Sequence, residues 1–315
     1  MKVSILVLMS TYNGQEFVTS QIDSILNQKN VDVKLLIRDD GSKDNTVKII
    51  NSKYSSNSRV ELIFGKNVGC VNSFNLLVKE AVKKNDVNYF AFSDQDDVWD
   101  DTKLISGIEL LEKSSNEDYN IPKAYCCNLM ISDSEAKPIC SLYKFNVNLN
   151  TSNMLVSNKA TGCTMVFNRA MAKMYSEHPA KFPAYHDYWM GLMAVYFGKL
   201  FFDNNCHIFY RQHSNNVVGV HCLLNWNQRV KENLSVLFSQ NDDSHLKTII
   251  AFYNEFKNEF SDSDTKKIKL ILNYKKSIFN KIRILSSLDF YPDCPIFKNP
   301  LKHISFVLKV LFGKL

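Results

Sequence analysis

Apolar residues in the first hundred positions come in short runs that stop at polar clusters. Val3–Met9 is one such run, ending in Ser10-Thr11-Tyr12-Asn13-Gly14. That pattern predicts a buried parallel strand followed by a loop. Phe17, Ile22, Ile25 and Leu26 then recur at helical spacing. Lys34–Arg38 predicts a second strand, stopping at Asp39-Asp40-Gly41-Ser42. Ser42 is placed to cap a helix carrying Val47, Ile49 and Ile50. Val60–Phe64 predicts a third strand, Asn67-Val68-Gly69 a turn, and Phe74, Leu77, Val78 and Ala81 a helix. Asn88–Ser93 predicts a fourth strand, ending at Asp94-Gln95-Asp96-Asp97, with a helix from about Thr102 to Lys113 behind it.

Strands that alternate with helices imply a parallel sheet joined by right-handed crossovers. Such sheets bind ligands beyond the carboxyl ends of their strands. Three of these ends carry polar clusters: Ser10–Gly14, Asp39–Ser42 and Asp94–Asp97. The second half is less regular. Ala124–Ile131, Gly162–Asn168 and His207–Tyr210 read as strands and Asp187–Phe197 as a helix. From about Leu223 the pattern is helical, so residues 1–222 are expected to form the catalytic domain and 223–315 a helical appendage.

Composition narrows the class. A chain of 315 residues that is 45% hydrophobic and 22% charged supports a sizeable core rather than disorder. Its most apolar stretch, Met190 to Phe202, is short and broken by Lys199, so no membrane-spanning helix is expected. The N-terminal residues show no small-residue cleavage site, and the eight cysteines form no CxxC pair. Both point to a cytoplasmic protein with reduced thiols and no zinc. The net charge of +6 is uneven. Residues 261–315 carry 11 basic and 4 acidic side chains, and the preceding 260 carry 27 and 28.

Asp94, Asp96 and Asp97 crowd the end of an apolar strand. Carboxylates this close repel unless something cationic neutralises them. Mg²⁺ or Mn²⁺ would do so and could also hold a diphosphate. The alternative is a solvated turn that caps the next helix.

The clusters Ser10–Gly14, Asp39–Asp44 and Ser93–Trp99, in that order, resemble family 2 glycosyltransferases of GT-A fold. Tyr185-His186-Asp187-Tyr188-Trp189 extends the match, and Tyr210–Gly219 resembles the bacterial rhamnosyltransferase branch. The resemblance implies an α/β fold, with a mostly parallel twisted sheet flanked by helices. It implies that Ser10, Thr11, Tyr12, Asp39 and Asp40 hold the nucleotide base. Asn67, Gly69 and Asn72 would lie near the nucleotide or its diphosphate. Asp94-Gln95-Asp96 matches the family's DxD motif, so Asp94 faces the ribose or metal and Asp96 ligates the metal. Asp97 competes with Asp96 for that role. His213 matches a histidine near the metal. Asp187 matches the catalytic base, although His186 stands where glutamate is usual. Gly162 and Cys163 would shape the sugar pocket. Trp189 would stack on an acceptor sugar or fill the core.

The expected reaction is metal-dependent transfer, with inversion, from a nucleotide-sugar to a hydroxyl of a saccharide or lipid-linked acceptor. dTDP-rhamnose is the leading donor, and UDP-hexoses are the alternative. The tail mixes lysines with apolar residues, as in Lys266–Arg283 and Ile304–Phe312. That mixture suits the anionic inner face of a membrane, or a helical appendage packed on the catalytic domain. No reader motif supports nucleic-acid binding. Two other readings are a nucleotidyltransferase and a non-catalytic nucleotide-sugar-binding module. The first is disfavoured because the loop after the first strand lacks Lys and Arg.

Overall fold

The computed structural model describes residues 2–113, 120–144, 147–181, 183–213, 244–291 and 300–315. The chain runs β1 (Val3–Thr11), α1 (Val18–Leu26), β2 (Val31–Asp39), α2 (Thr46–Tyr54), β3 (Val60–Phe64), α3 (Cys70–Ala81) and β4 (Tyr89–Ser93). It continues through β5 (Val98–Trp99), α4 (Lys103–Lys113), β6 (Lys123–Ser132), β7 (Pro138–Ser141), α5 (Thr151–Met154), β8 (Val166–Asn168) and α6 (Arg169–Glu177). Then come α7 (His186–Phe197) and β9 (Lys199–Arg211). The tail holds α8 (Ser244–Phe256), α9 (Asp262–Leu272), α10 (Ile278–Ser286) and α11 (Pro300–Phe312).

One sheet has strand order β3-β2-β1-β4-β8-β6-β9-β5, with β7 on β6. The strands β3, β2, β1 and β4 are parallel neighbours. Next to them β8 runs antiparallel to β4 and to β6, while β6 and β9 are parallel to each other. The sheet is therefore mostly parallel in direction, with β5, β7 and β8 reversed.

Both faces are buried, which is why β1 reads as a continuous apolar run. Ile5, Val7 and Met9 pack toward Ile22, Ile25, Leu104 and Ile108 on one face. Leu6 and Leu8 pack toward Phe74, Leu77, Met171 and Trp189 on the other. The tail joins this second layer through Ile249, Phe252, Phe256, Ile268, Ile284 and Val310. Each such side chain contributes about 1.5–3 kcal/mol on burial. The expected division at 222/223 lies outside the described residues.

Four local expectations change. Ser42 does not cap α2, whose N-cap is Asn45. Its hydroxyl instead donates to Asp39 and accepts from the Asn13 N–H. Gly162–Thr164 is a 3₁₀ turn, so the strand predicted from Gly162 is only Val166–Asn168. His207–Tyr210 is the end of the much longer β9. Trp189 is fully buried and donates its indole N–H to the His178 carbonyl, so it fills the core and cannot stack on a sugar.

Phe252 meets Trp189, Tyr196, Phe197, Phe256 and Phe260. Phe252→Ala should therefore lower unfolding free energy by about 3–5 kcal/mol in a urea titration. A change under about 1 kcal/mol would mean that the tail is not part of the core.

Candidate active site

The parallel strands β1, β2 and β4 end side by side, so their loops form one rim. At the β2 end, Asp39 is buried and accepts from the Gly41 and Ser42 N–H groups, the Ser42 hydroxyl and the Thr11 hydroxyl. Asp40 is buried in an ion pair with Arg38, 2.5 Å from Nη1. It also accepts from the Val68 and Gly69 N–H groups, both at 2.9 Å. These carboxylates thus tie the β1, β2 and β3 loops together. Ser10 lies 2.6 Å from Ser73, which also accepts from Arg38. Tyr12 stands out at 41% exposure. Asn67 is exposed on the neighbouring loop, and Asn72 is exposed in the first turn of α3. Gly69 starts α3 at φ 83°, the positive value expected of this turn.

Gln95 joins this rim to the acidic loop. Its amide accepts from the Tyr12 N–H at 2.9 Å and donates to the Tyr12 carbonyl at 3.0 Å. A β-carbon at Gly14 would fall 2.2 Å from Gln95 Oε1, so a side chain there would displace the Gln95 amide from Tyr12.

The second wall comes from late in the chain. β5 pairs with β9, setting Val98 opposite Phe209. That pairing delivers Arg211 and His213 to the acidic loop. Arg211 donates to the Asp96, Ser134 and Ser20 oxygens, and its N–H donates to Asp97. His213 Nε2 lies 3.0 Å from Asp96 Oδ2, and its ring rests on Phe17 at 4.9 Å.

Asp187 follows His186 in the first turn of α7, whose N-cap is Tyr185. Its carboxylate accepts from the Tyr188 N–H at 2.6 Å and the Gly162 N–H at 3.0 Å. Burial pushes it up to about 6. Asp94 is pushed up to about 7 by desolvation, then by Asp96 and Asp187. Cys70 reports the same convergence. Its thiol is raised to about 12 by desolvation, then by Asp94, Asp187, Asp40 and Asp96. One thiol thus feels carboxylates from three separate segments.

His186 takes no part in this polar chemistry. It is buried, without a hydrogen-bond partner at either ring nitrogen, and stacked on Phe74 at 3.9 Å. Burial lowers its pKa to about 3, so the ring is neutral packing where glutamate is usual.

The donor set suits a hard divalent ion. Asp96 and His213 already meet, Asp94 is held against its neighbours' charge, and the buried Asp97 Oδ2 has no hydrogen-bond partner among the described residues. Asp94, Asp97 and Cys163 also place ligand atoms within 4.8 Å of one another. That second set is poorer, because burial pushes the Cys163 thiol well up and keeps it protonated.

Four residues of this site are not singled out by the sequence reading. They are Arg38, Arg211, Phe17 and Lys103. Lys103 is fully buried, 3.2 Å from the Trp99 ring centroid, and desolvation lowers it to about 8. Its charge lies near Asp97 and Asp94 and offsets part of theirs.

A nine-stranded, mostly parallel α/β sheet with acidic loops at its strand ends is the architecture of the GT-A fold. The profile of glycosyl transferase family 2 matches residues 6–174, and the chain belongs to that family. It is 27% identical over 221 residues to the dTDP-rhamnosyl transferase RfbG of Shigella flexneri, covering 67% of this chain and 73% of that protein. It is 29% identical over 194 residues to WfgD of Escherichia coli, a UDP-Glc:alpha-D-GlcNAc-diphosphoundecaprenol beta-1,3-glucosyltransferase. That match covers 60% of this chain and 68% of WfgD. In structure it resembles residues 1–349 of Staphylococcus aureus TarS, solved in complex with UDP. The TM-score is 0.58 at 14% identity, over 99% of this chain and 89% of that one.

The raised carboxyls set a sign for stability. Asp94 and Asp187 bind protons more tightly folded than unfolded, so their contribution is full below about pH 3.8 and is lost as pH rises through 6 to 7. In EDTA, stability should fall between pH 5 and pH 8 by on the order of 3 kcal/mol. Mn²⁺ should cancel that fall. Chemical denaturation at several pH values checks both, and a flat profile without metal would contradict the assignment.

Proposed function

We propose that the protein is an inverting glycosyltransferase that moves a sugar from a nucleoside diphosphate to an acceptor hydroxyl. The observation that carries this reading is the meeting of Asp96 in the loop after β4 with His213 just past the end of β9, 3.0 Å apart, in a chain of glycosyl transferase family 2. In this reading, the base stacks on Tyr12 at the rim built by Ser10, Thr11, Asp39, Asp40, Asn67 and Asn72. Asp94 faces the ribose and the diphosphate. Asp96, His213 and Asp94 are the groups that would hold Mn²⁺ or Mg²⁺, which when bound neutralises the departing diphosphate.

Asp187 is the general base. Two backbone N–H groups fix its carboxylate, and burial makes it more basic than an exposed aspartate. It takes the acceptor proton as that oxygen attacks the anomeric carbon, and the sugar inverts.

The donor is dTDP-rhamnose in our leading reading, supported by the likeness to RfbG and by Tyr210–Arg211-Gln212-His213. Residues 214–219 of that motif lie outside the described residues. The likeness to WfgD favours the second reading, a UDP-hexose donor. The acceptor is a saccharide or lipid-linked saccharide of the cell surface, and the protein works at the cytoplasmic face of the membrane. Among the described residues, no helix is long and apolar enough to cross a bilayer. Exposed apolar side chains do cluster on the tail, with Phe279 at 74%, Leu288 at 85% and Phe312 at 60%. Basic residues accompany them, so the tail suits an anionic lipid surface.

Asp187→Asn should cut turnover by about 10²- to 10⁴-fold while donor binding survives. The wild-type kcat/KM should rise as pH increases through about 6, where Asp187 ionises. Equal loss of donor binding, with unchanged turnover per bound donor, would remove Asp187 from the base role. Screening nucleotide-sugars for Mn²⁺-dependent release of free nucleoside diphosphate identifies the donor. For the membrane reading, the triple variant Phe279→Ser, Leu288→Ser, Phe312→Ser should lose sedimentation with phosphatidylglycerol vesicles. Unchanged sedimentation would sink it.

A further inference from the structure

Tyr12 presents an exposed ring on a backbone that is pinned in place. Four consecutive N–H groups of its loop donate to side chains. The Asn13 N–H donates to the Ser42 hydroxyl at 2.9 Å, the Gly14 N–H to the Thr46 hydroxyl at 2.8 Å, and the Gln15 N–H to Asp44 at 3.1 Å. Those three partners lie on the stretch that leads from β2 into α2. The fourth partner comes from elsewhere. The Tyr12 N–H donates to Gln95, which stands between Asp94 and Asp96 in the acidic loop.

Gln95 holds Tyr12 at both ends of its backbone unit, because its amide nitrogen also donates to the Tyr12 carbonyl. Only one orientation of the amide satisfies both bonds, so the contact has a fixed sense. Gly14 leaves room for it. A β-carbon at Gly14 would fall 2.4 Å from Cδ and 3.0 Å from Nε2 of Gln95. Gly14 has no positive φ, unlike Gly41 and Gly69, so the turn itself does not call for glycine. What the missing side chain spares is the Gln95 amide.

The residues on either side of Gln95 are the ones aimed at a cation. The Asp94 carbonyl accepts from the Ser93 hydroxyl and the Asp96 carbonyl from Arg211, both at 2.8 Å. Their carboxylates carry like charge and repel until a cation draws them together. The residue between them must follow that movement. Two hydrogen bonds then pass it to the Tyr12 backbone, and so to the ring.

We propose that Gln95 is a positioning residue that makes metal binding and base binding interdependent. A cation at Asp94 and Asp96 sets the Tyr12 ring for the base, and a stacked base tightens the hold on the cation. This inference rests on the nucleotide-sugar reading of the site. Such a coupling is reciprocal, so it can be read from either ligand.

Uridine and thymidine are the probes, since a nucleoside carries the base but no phosphate to touch the ion. Electron paramagnetic resonance of free Mn²⁺ gives the metal Kd with and without excess nucleoside. In the wild type the nucleoside should lower that Kd by on the order of tenfold, the reach of two neutral hydrogen bonds. Gln95→Ala should still bind Mn²⁺ alone but lose the nucleoside effect. Gly14→Ala, which displaces the same amide from the opposite side, should lose it too. Thermal melts of each variant verify folding. A merely structural role would lower the melting temperature and leave the ratio of Kd values unchanged. A ratio of one in a wild type that binds both ligands, or an undiminished ratio in both variants, would overturn the coupling. A wild type that binds no nucleoside in equilibrium dialysis, or no Mn²⁺, would instead sink the donor-site reading on which the coupling rests.

Discussion

Like charges dominate the rim of this sheet. Asp94 holds its proton unusually tightly because it is buried beside Asp96 and Asp187, and Asp187 does so because it is buried. Left alone, loops carrying such charges would swing apart into water. Arg211 prevents that on one side, bonding to the backbone of Asp96 and Ser134 and to Ser20. The Gly162 turn prevents it on the other, holding Asp187 through its N–H while Cys163 sits beside Asp97. The fold thus keeps an unfavourable charge density in place, and a bound cation would relieve it without rearrangement.

The two walls differ in how they are made. The strand-end rim is local: strands β1, β2 and β4 end together because parallel βα units leave all their loops on one edge. Asp39 and Asp40 organise that rim from inside. Their oxygens are already engaged by Ser42, Thr11, Arg38, Val68 and Gly69. The wall that carries Asp187 and His213 is non-local. It needs β9 to pair with β5 and α7 to pack beneath the Gly162 turn, so it forms only when the whole sheet closes.

That difference decides what could be read from the chain. Val3–Met9 announces itself because both of its faces are buried, and the acidic loop because three aspartates follow an apolar strand. Gly162–Asn168 misleads because its apolar residues look strand-like, yet the turn is needed to aim Gly162 N–H at Asp187. Ser42 misleads because a serine before a helix has two uses, and the Asp39 carboxylate wins it. Arg38 and Lys103 carry no local signal at all, and Arg211 is visible only as part of the motif around His213. Charged side chains read as surface, and the partners that bury them lie up to 191 residues away, as with Arg211 and Ser20.

The tail shows the same limit from the other side. Its lysines and apolar residues give one amphipathic pattern, and that pattern does not say which face turns outward. Packing decides it. Phe306 and Val310 enter the core while Ile304 and Phe312 stay exposed, which turns Lys302 and Lys309 inward. Asn153 then fixes the tail to the segment that precedes the Gly162 turn. The N–H of that turn holds the Asp187 carboxylate, so this wall of the site is secured by contacts made between distant parts of the chain.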